Sequence, residues 1–157
     1  MKRTAFAPLL ASLLALSAIS AIAQVTVKDP WVRGTVPQQK VTGAFMQLQS
    51  EKDSRLVSAK SPVAGVVEIH EMAMEKDVMK MRALPNGLEL PAGKSVDLKP
   101  GGYHVMLMDL KQQVKEGDTV PITLVVEGKD KKQSSIEIKA PVKALGAAKK
   151  MDGEHKH

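Results

Sequence analysis

The stretch Lys99-Pro100-Gly101-Gly102-Tyr103-His104-Val105-Met106-Leu107-Met108-Asp109-Leu110 reads as a hard break followed by a strand. Pro-Gly-Gly interrupts any regular element. Beyond it, a period of two sets His104, Met106 and Met108 on one face and Tyr103, Val105 and Leu107 on the other. Comparable runs at 44–49, 66–72, 78–84, 95–98, 120–127 and 136–142 are separated by turn residues, at the spacing of about ten residues that marks an all-β domain. Pro30, Pro37, Pro62, Pro85, Pro91, Pro121 and Pro141 fall at the margins of these runs, where proline is tolerated. After the first 23 residues no window carries a helical stripe, and no internal repeat is visible. The pattern predicts an antiparallel β-sandwich of seven or eight strands, with Trp31 packed in its core.

Composition narrows the function. The chain has 157 residues, 23 Lys plus Arg, 17 Asp plus Glu and no cysteine. That length allows one domain with a tail. Without cysteine there is no disulfide scaffold, zinc finger, iron–sulfur cluster, thiol nucleophile or blue-copper centre. The lysines are scattered, and Lys129, Lys131 and Lys132 crowd around Asp130 in what reads as a solvated hairpin turn. No basic stripe interleaves with aromatics, so nucleic acid is not an expected partner.

The ends differ from the body. Lys2 and Arg3 precede an uncharged apolar run, 5–22, which closes on Ala21-Ile22-Ala23; this is the layout of a secretory signal peptide. Cleavage there leaves 21 basic against 17 acidic residues, a net charge of +4. No later segment has the ~18 consecutive apolar residues of a spanning helix. The expected organisation is a signal peptide over 1–23, a β-domain over 24–145 and a solvated tail over 146–157.

Chemistry concentrates in two segments. Six of the nine methionines, and both histidines of the domain, fall within His70-Glu71-Met72-Ala73-Met74-Glu75-Lys76-Asp77-Val78-Met79-Lys80-Met81 and His104-Val105-Met106-Leu107-Met108. Any one methionine is more often packing than ligand; the joint placement is what packing leaves unexplained. If Glu75-Lys76 is a two-residue turn, His70 faces Met81 and Met72 faces Met79, all on one face. Two strands then each present an imidazole with thioethers. Thioether sulfur is soft and uncharged, suits Cu(I), and serves Ca²⁺, Mg²⁺ or Zn²⁺ poorly. No H-E-x-x-H spacing occurs, and no hydrolytic nucleophile arrangement is defensible, so an enzyme is not expected. A site of neutral donors near the surface suits an ion that is held and handed on. The spacing does not choose between Met106 and Met108, or between Met79 and Met81.

The segments 70–82, Leu90-Pro91-Ala92-Gly93 and 99–108, together with Asp29-Pro30-Trp31-Val32-Arg33 and Lys115-Glu116-Gly117-Asp118, resemble the PCuAC-type periplasmic copper chaperones. Ten residues separate His70 from Met81, and twenty-two separate Met81 from His104, with Met106 two further on; this is similar to that family's histidine, methionine and His-x-Met spacing. The resemblance implies a cupredoxin-like Greek-key β-sandwich binding Cu(I) through His70, Met81, His104 and Met106. It also implies a periplasmic role in supplying the CuA domain of cytochrome c oxidase subunit II, alongside a Sco-type thiol protein. A copper-buffering or copper-resistance protein would use the same site with no dedicated recipient. Met72, Met74, Met79 and Met108 are then secondary ligands or, preferably, an apolar collar. Met151, His155 and His157 form a candidate weaker Cu(II) site in the tail, balanced against a merely solvated end. Glu71 and Tyr103 adjoin the histidines and are equally suited to orienting an imidazole or to a structural role.

Overall fold

The computed structural model describes residues 24–144 and 146, and among them ten strands and no helix. They are β1 (Val25–Arg33), β2 (Val41–Ser50), β3 (Ser54–Lys60), β4 (Ala64–Glu75), β5 (Val78–Ala83), β6 (Leu88–Leu90), β7 (Ser95–Leu98), β8 (His104–Leu110), β9 (Thr119–Gly128) and β10 (Gln133–Lys143). The expected leader and, Gly146 apart, the expected tail with Met151, His155 and His157 lie outside the described residues.

The order β5-β4-β8-β2-β1-β10-β9-β3-β6 runs through one sheet, with β7 also on β2. All pairings are antiparallel except β1 with β10, joined at Val32↔Val142. That parallel seam lets the sheet fold over itself. Val32, Ala44, Leu48, Ile69, Val105 and Leu107 from one half meet Leu56, Leu88, Ile122, Leu124 and Val126 from the other in a single core. Strand β8 lies between β2 and β4, and β3 joins the opposite half. The chain thus crosses between layers as a Greek-key sandwich requires. The all-β sandwich is as expected, with two or three strands more: β1, β3 and β6 join the seven anticipated.

Two irregularities shape the outer face of the β5-β4-β8-β2-β1 half. In β1 the register against β2 shifts between Lys28 and Trp31, and Asp29 has φ 49°. This is a bulge, one extra residue that inverts which side chains face inward. Pro30, which has no N–H to donate, sits in it at no cost to the ladder. Before the bulge Val25 and Val27 point to the core; after it Val32 does, and Trp31 and Arg33 are turned outward. Trp31 is therefore buried, at 6% exposure, but stacks on Phe45 (centroids 4.6 Å apart) on the outer face. It is not part of the inter-sheet core, contrary to expectation.

The second irregularity is the break before His104. Strands β7 and β8 both run along the same side of β2, at Met46–Gln49 and Val41–Ala44 respectively. Between them Lys99-Pro100-Gly101-Gly102 makes a turn closed by Gly102 N–H to the Lys99 carbonyl (3.0 Å). Gly101, at φ 84°, occupies the position of a type II turn that needs glycine.

A candidate metal centre on the outer face

Register brings the two histidine segments together. Strand β4 pairs directly with β8, and His70 stands opposite His104, their ring centroids 5.7 Å apart. Glu68 opposes Met106, and Val66 opposes Met108. On the other side of β8, Gly43 of β2 opposes Met106. Opposed residues project to one side, so histidines and methionines from β4, β5 and β8 share the outer face.

The β4–β5 hairpin differs from expectation in one respect. Its turn residues are Lys76 and Asp77, with φ 50° and 63°, not Glu75 and Lys76. Both positions of such a turn need positive φ, which Asp tolerates far better than Glu. His70 therefore opposes Ala83, Met72 opposes Met81 and Met74 opposes Met79. Moving the turn by one position changes every partner but preserves the parity, and the methionines stay on the histidine face.

A pocket of about 280 Å³ opens on this face, lined by Met72, Met81, His104 and Met106 together with Arg33 and Phe45, and roofed by Pro100 and Gly101. His70 is buried beside it, at 9% exposure, and His104 is at 5%. Met81 lies on an edge strand and is 48% exposed. Met74 and Met79 are exposed at the hairpin tip, and Met108 sits one row beyond Met106, opposite Val41 and Val66. Of the secondary candidates, only Met72 lines the pocket.

Hydrogen bonding fixes both imidazoles. His104 Nδ1 donates to the Gly102 carbonyl at 3.0 Å, and His70 Nε2 donates to Glu68 Oε2 at 2.7 Å. A carbonyl and a carboxylate only accept, so these nitrogens carry the protons and leave lone pairs on His104 Nε2 and His70 Nδ1. Both of those nitrogens are buried and have no hydrogen-bond partner. A buried acceptor without a partner costs free energy, and a metal ion is one partner that would restore it. Burial pushes the His104 pKa below the ordinary imidazole value; the Gly102 bond opposes this, and the His70 and Arg33 charges add to it. Neutral His104, with its lone pair available, is thus the favoured form.

Of the two roles open to Glu71 and Tyr103, the structure gives each the structural one. Glu71 Oε1 accepts from Arg82 Nε at 2.6 Å, and its parity on β4 puts it on the side away from the histidines. Tyr103 bridges Leu98 and is 37% exposed. Glu68 and Gly102 do the orienting instead, each two residues before its histidine. For Glu68 the readable signal was that i−2 spacing, which puts its side chain beside the histidine on the same face of β4; the Gly102 carbonyl has no such signal. Among the described residues, no group of three or more His, Asp or Glu side chains is placed to hold an ion.

A β-sandwich that sets histidines and methionines together on one sheet face is the arrangement that the resemblance to PCuAC-type domains implied. The chain belongs to the LpqE-like family: a profile described as "Putative lipoprotein LpqE-like" matches residues 25–142. Its fold is similar to the copper-bound PCuAC domain from PmoF2, at 25% identity and TM-score 0.62 over 79% of this chain and 96% of that one. It is also similar to the solution structure of CuI-DR1885 from Deinococcus radiodurans, at 33% identity and TM-score 0.58 over 82% and 85% of the two chains. A protein of Leifsonia xyli described as "Putative lipoprotein Lxx21020" is 30% identical over 102 residues, 64% of this chain. That match spans 60% of the Leifsonia protein's own length.

Proposed function

We propose that this protein is an exported copper chaperone that holds Cu(I) through His70, Met81, His104 and Met106 and supplies it for the CuA centre of cytochrome c oxidase. The observation that carries the reading is the pair of buried nitrogens without a hydrogen-bond partner, His70 Nδ1 and His104 Nε2, on rings whose centroids lie 5.7 Å apart, with His104 lining a pocket that also holds Met72, Met81 and Met106. Imidazole and thioether together suit Cu(I). The solved relatives described as copper-bound and CuI-bound support the same ion. The leader over 1–23 sends the domain to the periplasm, where a Sco-type thiol protein is the expected companion in transfer. The role is binding and release, without catalysis.

Physical division of labour follows from the strands. The imidazoles sit on paired interior strands, buried and fixed by Glu68 and Gly102. Met81 sits on the exposed edge strand, free to exchange its place with an incoming donor. Met72 stands across from Met81 and is a further thioether within reach.

The test replaces Met81 and Met106 together by Leu. Met-to-Leu swaps usually cost below about 1.5 kcal/mol, so the fold should survive while Cu(I) affinity, measured against a chromophoric Cu(I) chelator, collapses. Retained affinity would remove the thioethers from the site. Transfer of copper from the loaded protein to a metal-free CuA domain separates delivery from buffering.

A further inference from the structure

We propose that Arg33 sets the charge preference of the pocket: its unpaired guanidinium admits a monovalent soft ion and disfavours a divalent one. The inference rests on reading the pocket as the copper site. Softness of the donors selects Cu(I) by bonding; Arg33 adds an independent selection by charge.

The geometry begins at the β1 bulge. The Asp29-Pro30 bulge turns Arg33 onto the outer face, where it lines the pocket with His104 and Met106. Its guanidinium carbon lies 5.3 Å from the centroid of the Phe45 ring, which in turn is 6.4 Å from the His104 ring. On β2 the residue opposite Met106 is Gly43, and the Phe45 ring lies over it, so that ring is the surface across which Arg33 faces the pocket. Among the described residues Arg33 makes no ion pair, and its Nε is buried without a hydrogen-bond partner. An arginine in such a setting normally has a carboxylate.

Nothing in the donor set compensates it. Imidazoles and thioethers are neutral. Of the carboxylates on this face, Glu68 is committed to His70 and 45% exposed, and Asp97 accepts from Gln47 Nε2 at 2.9 Å. Lys143, with Nζ 5.3 Å from the Trp31 ring centroid, adds a second cation on the Arg33 side. Each additional unit of charge on the bound ion is repelled once more by these cations. Cu(II) therefore feels twice the penalty of Cu(I) or Ag(I).

The experiment compares Ag(I) and Cu(II) affinities, and the Cu(II)/Cu(I) potential, in the full chain with tail His155 and His157 replaced by Ala. Arg33→Met keeps the aliphatic stem and removes the charge; Arg33→Lys keeps a charge. Arg33→Met should lower the preference for the monovalent ion about tenfold, which is ~59 mV off the one-electron potential, while Arg33→Lys stays at the parent value. Two results overturn the proposal: an unchanged potential and affinity ratio in a folded Arg33→Met variant, or an equal fall in Arg33→Lys, which would point to packing on Phe45. Should Arg33→Met not fold, Arg33→Gln takes its place with the same expected and opposing outcomes. Failure of the parent protein to bind Ag(I) would instead sink the copper reading itself.

Discussion

Glu68 is the residue whose removal most directly tests how the site is held. Its carboxylate accepts from His70 Nε2 at 2.7 Å, so it acts on an ion at Nδ1 in two ways. It keeps the ring in one tautomer and orientation, and it contributes a negative charge across the imidazole. Adding the ring width and a metal–nitrogen bond to that contact places the carboxylate about 7 Å from the ion, where Coulomb attraction is ~0.6 kcal/mol at a dielectric of 80 and ~2.4 kcal/mol at 20. With the Glu68 side chain 45% exposed, solvent screening favours the lower half of that range, about 1 kcal/mol. Glu68→Gln, which retains an acceptor, should therefore weaken Cu(I) binding about fivefold. Glu68→Ala loses the acceptor as well, and removing the partner of a ligating imidazole costs about 10–100-fold. Competition with a chromophoric Cu(I) chelator measures both, and thermal melts confirm the fold. Parent-like affinity in Glu68→Ala would refute the assignment of His70 Nδ1 as a ligand atom.

Two further outcomes follow from the same face. A Cβ on Gly43 would lie 2.9 Å from Phe45 Cζ, and the ring is already held between Trp31 and Arg33, so Gly43→Ala should destabilise by about 1–3 kcal/mol through overpacking, read by chemical denaturation. Since burial holds the His104 pKa below its unfolded value, the unfolded chain binds more protons over that interval. Stability of the metal-free protein should be full above about pH 6.5 and fall as pH drops from there to the folded-state pKa. An NMR titration of the His104 ring, with denaturation midpoints over the same range, checks both the shift and its sign.

Legibility of the fold tracked local contrast. Strands β4, β8, β9 and β10 alternate clearly and end at strong turn residues, and each was anticipated within a few positions. Strand β1 hides its alternation because the Asp29-Pro30 bulge inverts parity midway, and Pro30 argues against a strand at all. Strand β6 has three residues, too few for any period to register. Strand β3, Ser54–Lys60, buries only Leu56 and Ala59. A bulge between Leu56 and Ser58 puts these two, three apart, on the same side. Tertiary pairing, not propensity, makes these elements.

The histidine–methionine face was readable for a reason that also explains the errors. Face membership depends only on parity, which survives moving a hairpin turn by one position, since both strands then shift together. Cross-strand partnership depends on the register itself, which here turned on whether Glu75 or Asp77 would accept positive φ. So the shared face of His70, Met72, Met79 and Met81 was recoverable from the sequence, while the facing of Met72 with Met81 was not. The orienting partners were lost differently. One is a main-chain carbonyl, which has no residue signature, and the other is a glutamate among seventeen acidic residues. Arg33 is the extreme case: its position on the pocket depends on a bulge at Asp29-Pro30, which reverses the face that simple alternation along β1 would give it.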